Sequence, residues 1–256
     1  MSLLLIVQPL PIAAIVASRG SGAANLATRD PKEVWADTVV GSAATLTIDL
    51  GAVRTIDTIF LGYVRPPAAD AIWSITGGVA DAAETQILAA STLRVPDVAG
   101  HAPALTHALW HGAPLAVRYL AVSVNQPGAA PSLTAGVLVV GKSFVAELGQ
   151  EWGAGRQPID TGTATALPSG GFSTVEGVRK VLFSWTFGDL TRDEADRLEL
   201  IGLGLGETLP GLVIEDASAT AGLRSRIHYG LFKRWRAFER RNHRQTRWEI
   251  GIEQWV

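Results

Sequence analysis

Three apolar residues at alternate positions, Leu46, Ile48 and Leu50, interleave with Thr45, Thr47 and Asp49 and end at Gly51. A period of two buries one face of an extended strand and leaves the other to solvent, which a helix cannot do. Related blocks recur along the first half. Ile56 to Val64 carries β-branched and aromatic residues, Ala71 to Thr76 repeats the rhythm, and Val117 to Val124 is apolar on both faces, as in a central strand. Leu133 to Val140 supplies one more. Pro66-Pro67, Gly77-Gly78, Pro127-Gly128 and Gly141 punctuate them, so turns fall every 8–12 residues or so, the spacing of a sandwich or barrel. With 27 Gly and 13 Pro in 256 residues, the chain is predicted to be mainly β. Residues 77–108 are Ala-rich and weakly patterned, which predicts loops with one or two edge strands.

The second half has its own signals. Val181, Phe183, Trp185 and Phe187 share one strand face. Thr191 and Glu194 form a capping box that opens a helix over about 192–203. That helix buries Ala195, Leu198 and Ile201 or Leu203, and Gly202, Gly204 and Gly206 are expected to end it. Strands near 212–215, 226–233 and 247–255 follow. The predicted layout is an N-terminal strand or arm over 1–19, a jelly-roll β-sandwich over 20–142, a Gly/Pro/Ser/Thr-rich connector over 143–175, and a small β domain with one α-helix over 176–256.

Composition removes several chemistries. The chain has no Cys, which excludes disulfides, thiolate metal sites and a cysteine nucleophile. A net charge of −2 argues against a general polyanion binder. The most apolar stretch, 3–17, is interrupted by Gln8, Pro9 and Pro11 and falls short of the roughly 20 residues a membrane span needs. Without a basic flank it reads as a buried strand followed by an edge segment, not as a secretory leader.

Asn25, Val34-Trp35, Leu46-Thr47-Ile48-Asp49-Leu50-Gly51 and Val117-Arg118-Tyr119-Leu120, in that order, resemble the discoidin-type, galactose-binding-like jelly roll over residues 20–142. Members that bind sugar or lipid carry aromatic and polar residues on loops at one end of the sandwich; here those loops are mostly Ala, Gly and Pro. The second half is similar to tail-tip and baseplate components of bacteriophages and prophages. Residues 181–187, Leu190-Thr191 through Glu194-Ala195, Pro210, Ile214-Glu215-Asp216, Tyr229-Gly230 and the closing 248–255 carry that likeness. It implies a structural subunit of a phage tail tip, made in the bacterial host cytoplasm and incorporated into the virion. Such a subunit would contact other tail proteins, close with its own copies into a ring-like homo-oligomer, and display the jelly roll toward a host surface glycan. The alternative is a stand-alone, non-catalytic carbohydrate-binding module. An enzyme is the least supported reading, because no nucleophile–base set assembles from these residues.

Candidate sites follow. Trp110 with His107, His111 and Arg118 is the best local set for a sugar: an aromatic platform beside polar groups. His107 and His111 lack the intervening Glu of a zinc protease helix, and Trp110, Gly112 and Pro114 oppose a helix there, so the histidines are expected on loops. Asn25, Asp30 and Asp37 could offer oxygens to Ca²⁺ in the jelly roll, and no other cofactor is expected. Asp189, Asp193 and Glu194 have a sufficient reason at a helix N-terminus, and the glycines at 202, 204 and 206 follow a helix where a phosphate loop would precede one. The basic run containing Arg234, Trp235, Arg236, Arg240 and Arg241 reads as a hairpin offered to a neighbouring subunit in preference to nucleic acid. Trp152 and Trp255, in a Gly-rich segment and at the end of the chain, are further candidate interface anchors.

Overall fold

A computed structural model describes residues 3–39, 43–65, 68–101, 103–126, 133–233, 235–242 and 245–256. The chain is mainly β, with one α-helix among the described residues, and divides into two compact units. One comprises residues up to 145 together with 212–227; the other comprises 146–211 with 228–256.

The first unit is a jelly-roll-type β-sandwich. Its main antiparallel sheet runs Ala14–Ala17, Ala43–Val64, Thr106–Asn125, Ile72–Gly78 and Thr85–Thr92, with Val137–Gly141 pairing beside Ala43–Val64. The alternating residues do what their period demands. Leu46 lies opposite Val122, Val122 opposite Ile75, and all three are fully buried, so one row of apolar side chains crosses three strands. One step along, Leu120 faces Gly77, where an added Cβ would lie 2.7 Å from the Leu120 Cδ2. Trp35–Asp37 pairs with Leu133–Ala135 in a smaller sheet, and Trp35 is fully buried in the same core. Among the described residues one edge strand, Thr85–Thr92, falls in the weakly patterned stretch before residue 106.

Two expectations about the ends of this unit need correction. Of the strand or arm expected at the N-terminus, residues 3–19 are the strand and no separate arm: Leu5–Val7 is buried between Ser143–Val145 and the 212–214 stretch, and Ala14–Ala17 pairs with 46–49. Residues 212–227, assigned from sequence to the second domain, cluster with the sandwich. The Arg224 Nε donates to the Leu105 carbonyl at 2.7 Å, and the Arg224 backbone N–H donates to Pro96 at 3.0 Å.

In the second unit Gly155–Asp160, Arg179–Leu190 and Thr246–Gln254 are adjacent antiparallel strands. Phe183, Trp185 and Phe187 are buried as predicted, and His228 stacks on Phe183 at 4.9 Å. The predicted connector is thus only partly irregular: Gly155–Asp160 joins the sheet, and Thr163–Ala166 pairs with Phe172–Val175 as a hairpin exposed at every position.

The helix spans Arg192–Leu205 and starts at the predicted capping box: the Thr191 hydroxyl accepts from the Glu194 N–H, and the Glu194 carboxylate accepts from the Thr191 N–H at 2.8 Å. Ala195, Leu198 and Leu205 are buried, whereas Leu203 is exposed. Gly202 and Gly204 do not end the helix. A Cβ on Gly202 would stand 3.2 Å from the Trp235 ring, so this glycine admits an indole against the helix; Gly206, at φ 54°, is the residue that stops it.

Candidate functional site

A cleft of about 560 Å³ opens in the sandwich unit. Residues 109–111 of the strand Thr106–Asn125 form one wall, and Trp73 with Ser91 and Thr92 forms another. Arg94, Val95 and Pro96 come from the loop that follows Thr85–Thr92, and Ala217, Ala219 and Leu223 from the 212–227 segment pinned by Arg224.

Trp110 lies opposite Ile59 on the core side of its strand and is half-buried. Gly112, two residues along the same face, decides how the indole rests. An added Cβ there would sit 2.9 Å from Trp110 Cζ2 and 3.4 Å from its Nε1, so the ring lies along the strand over bare backbone. Arg94 is half-buried; its Nη1 donates to the Pro103 carbonyl at 3.3 Å, and it makes no ion pair among the described residues. Arg224, close to it, is pushed below the ordinary arginine value chiefly by burial, against the opposing pull of Asp97, whose Oδ2 lies 3.9 Å from the Arg224 Nε. No carboxylate lines the cleft among the described residues.

Of the four residues expected to hold a sugar, the structure brings Trp110 and His111 to this cleft and places the other two elsewhere. Strand alternation turns His107 onto the face opposite Trp110, on a strand rather than on a loop, whereas His111 still lines the cleft and Arg118 is taken by Asp49. His107 is interior: its Nδ1 accepts from the Tyr63 N–H at 3.2 Å, and its ring packs on Phe60 and Tyr63. It props Tyr63 at φ 56°, the one non-glycine residue with positive φ among those described. The exposed His111 meets the Thr58 hydroxyl at 3.1 Å through its Nδ1. Arg118 forms a two-point ion pair with Asp49, at 3.0 and 3.2 Å, and lies over the Tyr119 ring away from the cleft. The guanidinium and the Gly51 N–H hold the Asp49 carboxyl below its usual range. Sequence reasoning missed Arg94, Trp73 and the 217–223 wall. Trp73 read from sequence as a core residue within a strand, Arg94 lay in a stretch expected to be mostly loop, and the wall carried no signal.

The calcium candidates have other partners. The Asn25 side-chain amide donates to the Val34 carbonyl at 2.9 Å, and Asp30 caps the Lys32 N–H at 3.0 Å. The buried Asp37 pairs with Arg19 at 2.8 Å and accepts from the Val39 N–H. No group of three His, Asp or Glu able to hold a metal occurs among the described residues.

Among the interface candidates, Trp152 is fully exposed. Trp235 is half-buried, donating from Nε1 to the Gly206 carbonyl at 3.0 Å and packing on Phe232 and Trp248. Arg236 pairs with Glu249 at 2.9 Å and Arg241 with Glu151 at 3.4 Å, while Arg240 is exposed on the two-residue strand beside Thr246–Gln254. Trp255 is half-buried, its backbone N–H donating to Tyr229. Arg234 lies outside the described residues.

No protein-family model matches the chain, and no curated protein does. Solved structures align with about half of its length. The CBM32 module of AlyQ, solved with 4,5-unsaturated mannuronic acid, is 18% identical with a TM-score of 0.40, covering 52% of this chain and 97% of that one. A chitosan-binding module from a Paenibacillus sp. IK-5 chitosanase/glucanase is 14% identical with a TM-score of 0.40, covering 52% and 98%. CBM32-3 from a Clostridium perfringens family 31 glycoside hydrolase is 14% identical with a TM-score of 0.41, covering 53% and 94%.

Proposed function

We propose that the sandwich unit is a non-catalytic carbohydrate-binding module whose ligand occupies the cleft beside Trp110. One observation carries this reading: an indole laid over Gly112 at the wall of a cleft of about 560 Å³ that also presents Ser91, Thr92 and Arg94. A pyranose has an apolar C–H face and a rim of hydroxyls, so it needs a flat aromatic surface and a few convergent polar groups. Titration calorimetry of the purified protein against a panel of oligosaccharides tests it. Trp110→Ala should abolish binding while the melting profile shows the sandwich intact. A panel with no binder, or a Trp110→Ala protein that binds as before, refutes the reading.

A second reading, a structural subunit of a phage tail tip whose module faces a host glycan, draws on a different feature. The segment 152–178 exposes Trp152, Phe172 and Val175, and such residues gain most when a neighbouring subunit covers them. The two readings are compatible, since a module can be carried by an assembly.

A further inference from the structure

We infer that the sugar bound in this cleft carries a carboxylate, received by the Arg94 guanidinium beside the Trp110 platform; this rests on the carbohydrate-binding reading above. The charge inventory is the basis. Arg94 supplies the one full charge on the cleft wall among the described residues, and no carboxylate shares that wall. Its single hydrogen bond, from Nη1 to the Pro103 carbonyl, fixes one side of the planar fork and leaves the other donors uncommitted. A second guanidinium, that of Arg224, lies close behind, and Asp97 answers it from 3.9 Å. Two arginines against one carboxylate leave the neighbourhood cationic.

A neutral sugar would leave that charge half-buried and unanswered, which is costly. A planar anion matches the two parallel N–H vectors that an arginine offers. The hydroxyls of Ser91 and Thr92 remain for the neutral rim of the ring. Sulfate esters share the negative charge but not the planar, two-oxygen geometry, so a carboxylate is the better fit.

The test compares three probes by calorimetry at low salt: a galacturonate oligomer, the fully methyl-esterified oligomer of the same length, and a sulfated galactose oligomer. The expected result is tightest binding to the free acid, weaker by about 10-fold or more for the ester, the range of a charge-assisted pair. Arg94→Gln should remove that difference, with Arg94→Lys restoring part of it, and added salt should weaken the acid but not the ester. Equal binding of acid and ester, or binding only of uncharged glycans from the wider panel, overturns the inference and leaves the module standing. Preference for the sulfated oligomer overturns the carboxylate assignment. Failure of every glycan in the wider panel removes the binding reading itself, and this inference with it.

Discussion

The strand Ile72–Gly78 and the hairpin Thr163–Ala166/Phe172–Val175 are both antiparallel β-structure, yet they are held by different means. In the first, Trp73 and Ile75 are buried and neighbours pair on both edges, so backbone hydrogen bonds and apolar burial reinforce one another. In the second, every residue is exposed, Phe172 at 70% and Val175 at 67%, and the two strands pair only with each other. An isolated two-stranded hairpin is marginal in water. Alternating sequence is therefore enough to make a strand, but a strand becomes stable only when the sequence also supplies something to bury it against.

If that contrast is right, the largest effect should come from emptying the sandwich core. Trp35 is fully buried, and its Nε1 donates to the Arg19 carbonyl at 3.3 Å. Trp35→Ala should cost about 3–5 kcal/mol, the range for removing a large buried aromatic. Urea unfolding measures it. A loss of under ~1 kcal/mol would mean that the small sheet of Trp35–Asp37 and Leu133–Ala135 repacks freely, and the contrast would collapse.

A smaller effect tests the helix. Thr191→Ala removes the cap and should cost about 1 kcal/mol. Glu194 adds a pH signature. Burial pushes its carboxyl up, but the N–H groups of Glu147 and Thr191, the Thr191 hydroxyl and the Arg197 charge more than offset this, so it sits below 4.5. A depressed folded value means that the stabilisation is complete above about pH 4.5 and is lost as pH falls through the lower folded value. The gap between wild type and Thr191→Ala should accordingly narrow in acid, as followed by thermal melts between neutral pH and pH 3. A constant gap would show that the carboxylate contributes nothing beyond the cap geometry.

These residues also show what could be read in advance. Leu46, Ile48 and Leu50, the Thr191–Glu194 box, and Phe183, Trp185 and Phe187 each carry a local period or spacing, and each landed as expected. Leu212, Val213 and Ile214 are equally apolar, but nothing local says that their partner is Leu5–Val7, some two hundred positions earlier. Pairings of that separation are set by the closed fold. The candidate site shows the same divide in miniature. Trp110 was visible as an aromatic in a strand, yet the period of two that revealed the strand also turns His107 onto the opposite face. Arg94 owes its place to a loop held at Pro96 by the Arg224 backbone N–H, which belongs to a distant part of the chain.

The smallest expected effect is the sharpest test of the contrast. Phe172→Ser removes a large apolar side chain, which in the sandwich core would be a severe lesion. On the exposed hairpin the ring has little buried area to lose, and the stability of the isolated chain should change by less than about 0.5 kcal/mol, as for an ordinary surface substitution. Urea unfolding of the monomer checks this, with light scattering on the same samples. If the hairpin's apolar residues serve a neighbouring subunit, the substitution should reduce association without moving the unfolding midpoint. A midpoint shift worth more than about 1 kcal/mol would place Phe172 in contact with the chain's own core in solution and erase the difference between the two strand pairs.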